Sequence, residues 1–347
     1  MKPQFRKIFG PRMEELMKRA AMLFSELDAD AKLPVDHARL FVNQMLGIDM
    51  DYEDWLAQVS FEPINPTGTN LDDWELDDVG DIRKHTENTA NTHLVGENWS
   101  DRKITPQIID LLADLPYERV GRWLRRSAGE GASLGSGVDI VLKELRIKFR
   151  RELQNLFING NTDSTAAHES ICDGWVKLSL ADGTDANLNG TSWAATPDVK
   201  AMLMRLRRQA TKVRHGSLLK MPNFGYIMSE YCHDIFVEQL TALTSDSAHS
   251  LYFVDPKTGV PRYKGRPIYM PNYWPDDLII MTTPKVFAGG LCDEISRDIP
   301  LIEYERDARP AVHKFTCRVS GGCNIVKPSI ILAEFDTSNA NYVSWVA

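Results

Sequence analysis

Residues 138–161 read VDIVLKELRIKFRRELQNLFINGN, and the spacing of the large apolar residues in this stretch decides the architecture. Val138, Leu142, Leu145, Phe149, Leu153 and Leu156 recur every three to four residues up to Asn159-Gly160. That is the pattern of an amphipathic helix followed by a helix-stopping pair. The spacing predicts a helix over 138–158. At about 1.5 Å per residue it spans about 31 Å, and burying six such side chains gains about 10 kcal/mol before ordering entropy is subtracted. Lys143, Arg146, Lys148, Arg150 and Arg151 occupy its other faces. A helix of this length is a spine around which a domain is built.

On its N-terminal side, Met13, Leu16, Met17, Ala20, Phe24 and Leu27 predict an amphipathic helix over 12–27, and a second short helix follows Pro34. Residues 104–126 read as mixed helical and turn structure ending in Arg122, Arg125 and Arg126. The glycine-rich stretch 129–137 (GEGASLGSG) lacks the Lys-Ser/Thr of a phosphate loop and the third glycine of a dinucleotide loop, so it reads as a hinge. On the C-terminal side, Thr196-Pro197-Asp198 opens a helix in cap order, with Val199, Met202, Leu203, Leu206, Ala210 and Val213 inward. A strand at 224–228, a helix over about 229–243 and short strands at 252–254, 267–270 and 278–282 follow. Residues 313–319 and 324–326 read as hairpin arms about Ser320-Gly321-Gly322, with Cys317 and Cys323 on opposite arms, and 330–335 as a last strand. The class is α+β, without βαβ repetition or internal repeats.

The chain has 347 residues, 43% apolar and 25% charged, with a mean hydropathy of -0.30. This composition supports a packed core, and no window approaches the apolar length of a membrane span. Five cysteines, an odd number, point to a reducing compartment. The net charge of -8 is unevenly spread. Residues 51–100 hold twelve Asp or Glu against Arg83 and Lys84, a local charge of −10 that leaves +2 for the remainder. The segment 51–103 has turn chemistry at Asn65–Gly68 and Val79–Asp81 and no core of its own, so it reads as a two-stranded excursion that must lie on something else. Trp55, Trp74 and Trp99 argue against a solvated linker.

Chemistry-bearing groups are sparse. Tyr231-Cys232-His233-Asp234 puts a thiol, an imidazole and a carboxylate in sequence, but successive helical residues point about 100° apart. Asp255-Pro256-Lys257-Thr258-Gly259 reads as a hairpin turn. Cys317 and Cys323 lack the spacing of a metal knuckle, and the eight histidines are scattered without a His-x-x-x-His pair. No catalytic residue, cofactor or metal is predicted.

The order of elements resembles the major capsid protein of tailed bacteriophages, the Hong Kong 97-type capsid fold. The features that carry the likeness are the helix end Phe157-Ile158-Asn159-Gly160-Asn161, the turn Cys172-Asp173-Gly174-Trp175, Gly265-Arg266-Pro267-Ile268 ahead of Met270-Pro271, and the closing run Lys327-Pro328-Ser329-Ile330-Ile331-Leu332. Asn161 and Trp175 depart from the family's usual residues. The likeness covers about 100–335.

The resemblance implies an N-terminal arm (1–50), an extended acidic loop across the neighbouring subunit (51–103), a peripheral domain (104–195 and 290–347) and an axial domain (196–289). It implies inter-subunit contacts through Asp72, Asp73, Trp74, Asp77, Asp78, Lys84 and Trp99, with Arg122, Arg125 and Arg126 as basic ground. Axial tips would lie at Asp185, Asn189 and Ser192 and at Thr244 and His249. Lys84, the only lysine between Lys32 and Lys103, is the loop's candidate for a crosslink. The implied partners are other copies in pentamers and hexamers, packaged double-stranded DNA, a separate scaffolding protein with no cleavage of this chain, a portal and a decoration protein. No membrane is involved, and the place is a virion assembled in the host cytoplasm. Two alternatives stay open: an encapsulin-like compartment, and a soluble enzyme using Cys232 or Cys172.

Overall fold

The spine helix sets the frame. In the computed structural model it is α2, Ser136–Asn159, 24 residues long. The structure describes residues 55–61, 64–65, 67–71, 74–76, 97–99, 102–116, 136–166, 169–182, 187–212, 218–221, 223–242, 251–292, 302–307 and 312–346. The two helices expected before residue 50 and the hinge at 129–135 lie outside these residues. Leu145, Phe149, Leu153, Leu156 and Phe157 of α2 are buried, as the apolar spacing requires. The end of the helix is tied to a neighbouring loop, Gln154 donating to the Asn272 carbonyl at 3.2 Å and Asn159 to that of Tyr273 at 2.8 Å.

A five-stranded sheet lies at this end of the fold. It is built on β15 (Val312–Ile325), a strand of 14 residues. β6 (Gln107–Pro116) pairs along β15 from Gln107↔Gly321 to Pro116↔Val312. β14 (Ile302–Asp307) and β13 (Phe287–Leu291) pair with successive parts of β15, and β1 (Ser60–Phe61) adds in parallel to β13. Two expectations fail here. Residues 107–116 are strand, not helix and turn: Ile109 and Leu111 are buried while Ile108, Asp110 and Leu112 are exposed, a period of two. The apolar pairs Ile108-Ile109 and Leu111-Leu112 hide that alternation, because both faces carry apolar side chains. Ser320-Gly321-Gly322 is no turn, and Cys317 and Cys323 share one strand. A Cβ at Gly321 would come within 2.6 Å of Leu291 Cδ2, and one at Gly322 within 2.8 Å of the Thr105 carbonyl. These glycines answer close approach, not reversal.

A seven-stranded sheet has the order β7 (Leu188–Thr191), β16 (Leu332–Asp336), β12 (Leu278–Thr282), β8 (Gly225–Ile227), β11 (Arg266–Tyr269), β10 (Pro261–Tyr263), β9 (Tyr252–Val254). β7 and β16 come from outside 196–289, so the sheet spans both boundaries drawn from sequence. The β9–β10 hairpin turns at 255–260, as expected, with Asp255 N–H donating to the Val260 carbonyl at 3.1 Å. Helices α4 (Val199–Lys212) and α5 (Glu230–Thr241) cover one face. Asp198 caps the first, accepting from Ala201 N–H at 3.0 Å, and Ser229 caps the second, accepting from Cys232 N–H at 3.2 Å. Two further short helices are α3 (Trp175–Ala181) and α6 (Ala340–Val346).

The acidic segment does not leave the body at 51. Residues 55–58 form helix α1 (Trp55–Gln58), and Trp55 is 1% exposed, its ring set among Tyr269, Trp274 and Phe287. Further on, β2 (Thr69–Asn70) pairs with β5 (Lys103–Ile104), and β3 (Trp74–Leu76) with β4 (Glu97–Trp99). Trp74 and Trp99 are register partners. A small cluster of Ile64, Ile104, Ala288 and Cys292 fixes the root of this ribbon to the five-stranded sheet.

One buried charge is held across the larger sheet. Arg205 of α4 makes a two-pronged bond to Glu334 of β16, both contacts at 2.9 Å, and the Glu334 side chain is 0% exposed. Removing the cation strands that carboxylate. Arg205→Met is expected to cost about 3–5 kcal/mol in chemical denaturation, with most of the loss recovered by adding Glu334→Leu.

Candidate functional site

The two motifs that flank the spine end, 157–161 and 172–175, come together as one junction. Gly174 N–H donates to the Gly160 carbonyl at 2.7 Å. A Cβ on Gly160 would stand 2.4 Å from the Cys172 carbonyl, and one on Gly174 2.6 Å from the Ile158 carbonyl. Neither glycine has a positive φ; among the described residues the glycines that do are Gly68, Gly259 and Gly265. Gly160 therefore stops the helix by admitting a second backbone, not by turning left-handed. Trp175 follows immediately, 0% exposed, its Nε1–H donating to the Ala288 carbonyl at 3.0 Å and its ring between Phe157 and Phe287.

A charged clamp closes the outer side of this junction. Lys177 Nζ lies 2.7 Å from both Asp163 Oδ2 and Asp173 Oδ1, and it also donates to Asn161 Oδ1 at 3.1 Å. Asp173 Oδ1 accepts from the Thr162 N–H at 2.9 Å and its hydroxyl at 2.7 Å. Burial disfavours the Asp173 carboxylate, but the bonds from Lys177 and Thr162 outweigh it and hold its pKa below the ordinary 3.8. Burial likewise disfavours the Lys177 cation, and its carboxylate partners more than compensate, raising its pKa above the ordinary 10.5. The sequence reading missed this clamp, although the Asp173/Lys177 spacing of i, i+4 on a helix start signals it.

The thiols are placed for packing. Burial pushes the Cys232 pKa up to about 11, and its Sγ–H donates to the Asp276 carbonyl at 3.0 Å. His233 turns to the Tyr252 hydroxyl at 3.1 Å, and burial lowers its pKa. Cys232 is buried while Asp234 is exposed, so the three residues do not converge. Cys323 is pushed well up by burial beside Cys172, its Sγ–H donating to the Asp173 carbonyl at 3.3 Å. Among the described residues no group of three metal-ligating side chains gathers, and no described helix is long and apolar enough to cross a membrane.

Asp72, Asp73, Asp77, Asp78, Lys84, Arg122, Arg125, Arg126, Asp185, Thr244 and His249 lie outside the described residues. Trp74 and Trp99 are backbone register partners in the β3–β4 ladder. Asn189 sits half-buried in edge strand β7, and Ser192 is exposed just beyond it.

No family model and no curated protein matches the chain. The backbone does find a counterpart among solved structures. A chain of the satellite phage P4 procapsid, solved with its size determination (Sid) protein, superposes with a TM-score of 0.55 at 11% identity, over 86% of this chain and 98% of that one. The chain has the Hong Kong 97-type phage capsid fold. A chain from Gordonia phage Cozz is similar with a TM-score of 0.49 at 13% identity, over 85% of this chain and 92% of that one. A chain of the holo-SrpI encapsulin complex from Synechococcus elongatus PCC 7942 gives 0.44 at 10% identity, over 84% and 93%. In this capsid fold the glycine junction and its clamp hold the spine end against the five-stranded sheet.

The clamp has a pH signature. The Asp173 share of stability is complete above the ordinary carboxylate pKa and is lost as pH falls through the depressed folded-state value. Lys177→Met is expected to cost about 1–3 kcal/mol near pH 7. In denaturant titrations at stepped pH, the gap between wild type and variant should shrink below about pH 4 as Asp173 takes up its proton.

Proposed function

We propose that the chain is a major capsid protein, copies of which build the icosahedral shell around the double-stranded DNA of a tailed phage. The observation that carries this is the backbone match to a procapsid chain over 98% of that chain's length. Cys232, buried and with its pKa pushed up to about 11 by that burial, fits a structural role without catalysis.

In this reading α2 is the spine of a peripheral domain, and residues 196–289 form the bulk of an axial domain whose loops meet at capsomer centres. The acidic ribbon beyond β2 lies across a neighbouring copy, with Asp72, Asp73, Asp77 and Asp78 on basic ground that includes Arg122, Arg125 and Arg126. Each exposed ion pair contributes at most about 1 kcal/mol, and repetition over many copies supplies the rest. Like-charge repulsion from DNA phosphates places the ribbon on the outer side of the shell. Scaffolding, portal and decoration proteins complete the assembly, and the mature location is the virion.

Negative-stain microscopy of the purified protein tests this directly, with closed particles eluting in the void volume as the expected result. A small oligomer without particles would sink it. Particles with no excess absorbance at 260 nm after expression during infection would favour a cargo compartment over a DNA head. Reversing Asp72, Asp73, Asp77 and Asp78 to Lys should abolish closed particles while circular dichroism shows the subunit still folded.

A further inference from the structure

The two helices on the seven-stranded sheet carry opposite charge. Between Val199 and Ser229 the sequence has seven Lys or Arg and no Asp or Glu. Between Glu230 and Thr241 it has three acids and no Lys or Arg. The helices pack side by side, the start of α4 against the end of α5: Gln239 accepts from Lys200 N–H at 3.0 Å and donates to the Pro197 carbonyl at 2.7 Å. Both rest on the same aromatic layer. Tyr226, whose hydroxyl approaches the Leu203 carbonyl of α4, stands beside Tyr263, and Tyr263 meets Phe236 of α5 edge to face at 4.9 Å.

Their charges do not neutralise each other. Arg208 and Lys212, one turn apart on α4, are exposed and form no ion pair with a described residue. Glu230, Asp234 and Glu238 follow at i, i+4 and i+8 on α5 and are exposed. Among the described residues the one ionic approach to them is His233 Nδ1, 3.8 Å from Asp234. Tyr231 stands in this acidic face, 49% exposed. An aromatic ring with a charged rim has the composition of a protein–protein contact, and the base-bearing face on the same domain is its electrostatic complement.

We propose that the α4 face of one copy docks onto the α5 face of the next, Arg208 and Lys212 meeting Asp234 and Glu238 around Tyr231. Two different faces of one chain in contact make a head-to-tail interface, which closes into rings. This rests on the shell reading and names the contact that would join copies within a ring.

The test uses the full chain. One variant carries Arg208→Glu and Lys212→Glu, and a second carries Asp234→Lys and Glu238→Lys; Glu230 is left alone because it lies in the first turn of α5, where a cation opposes the helix dipole. Each variant alone should lose at least about tenfold in particle yield, while thermal melting shows it folded. The variant with all four changes should assemble again. Mixing the two failed variants should give rings with even numbers of subunits by native mass spectrometry, because only alternating copies match. Should a reversed variant fail to fold, the neutral pairs Arg208→Gln/Lys212→Gln and Asp234→Asn/Glu238→Asn replace it, each expected to lower the yield and to remove its dependence on salt. The inference is overturned by wild-type yield from either altered face, or by no recovery in the four-change variant. It is also overturned if reversing the α4 face leaves assembly intact and instead lowers retained DNA, which would make that face a nucleic-acid surface. Wild-type protein that forms no particles defeats the shell reading itself, and the proposal with it.

Discussion

Two backbones can pass at Gly160 and Gly174 only because neither carries a Cβ. With the Cys172 carbonyl 2.4 Å from where a side chain would begin, any substitution forces the spine end and the following turn apart. The distance sets more than a local packing detail. It fixes where α3 starts, hence where Trp175 enters, and Trp175 is the ring that joins Phe157 of the spine to Phe287 of the five-stranded sheet. Its indole donates to the carbonyl of Ala288, the β13 residue paired with Ser60 of β1, so the strand that ties the start of the acidic segment to the body is held at the same place. Lys177 then secures the junction from the solvent side with charges that are partly desolvated and mutually satisfied.

How far the sequence revealed this follows from which physical signal each element carries. α2 was legible because one face is apolar and the others basic, so the helical period is not blurred. β6 and β15 were not. β6 has apolar side chains on both faces, with Ile108 at 57% and Leu112 at 65% exposure, and its alternation is lost in the letters. β15 contains a glycine pair that reads as a turn, while its real cause is the tertiary approach of Thr105 and Leu291, which no local pattern encodes. Trp55 illustrates the converse. Its neighbours in sequence are acidic, so charge suggested a segment leaving the body, yet three aromatic rings distant in sequence enclose it.

The candidate contacts divide the same way. The acidic excess of 51–100 is plain from counting, and its root at β2–β5 and the Trp74–Trp99 register fit a two-stranded ribbon. In the proposed shell, what the ribbon touches depends on surfaces of other copies, and a single chain's sequence holds no signal for that pairing. The segregation of charge between α4 and α5 is equally a matter of counting. Its meaning emerges only when the sheet sets the two helices side by side with their charges outward.

At 11% identity to a procapsid chain, the shared fold cannot rest on shared side chains. Cores accept many combinations of apolar residues if volume and pattern are kept, so the constraint that such a match reflects is geometric, the course of the backbone and not the side chains that fill it. Assembly makes a different demand. A shell subunit must present complementary faces to copies of itself, and such faces are set by exposed charge and aromatic placement, which the core leaves free to vary. On the proposed reading, the fold supplies a subunit able to tile a shell, and the charge pattern on α4, α5 and the acidic segment selects another copy of the same chain as its partner.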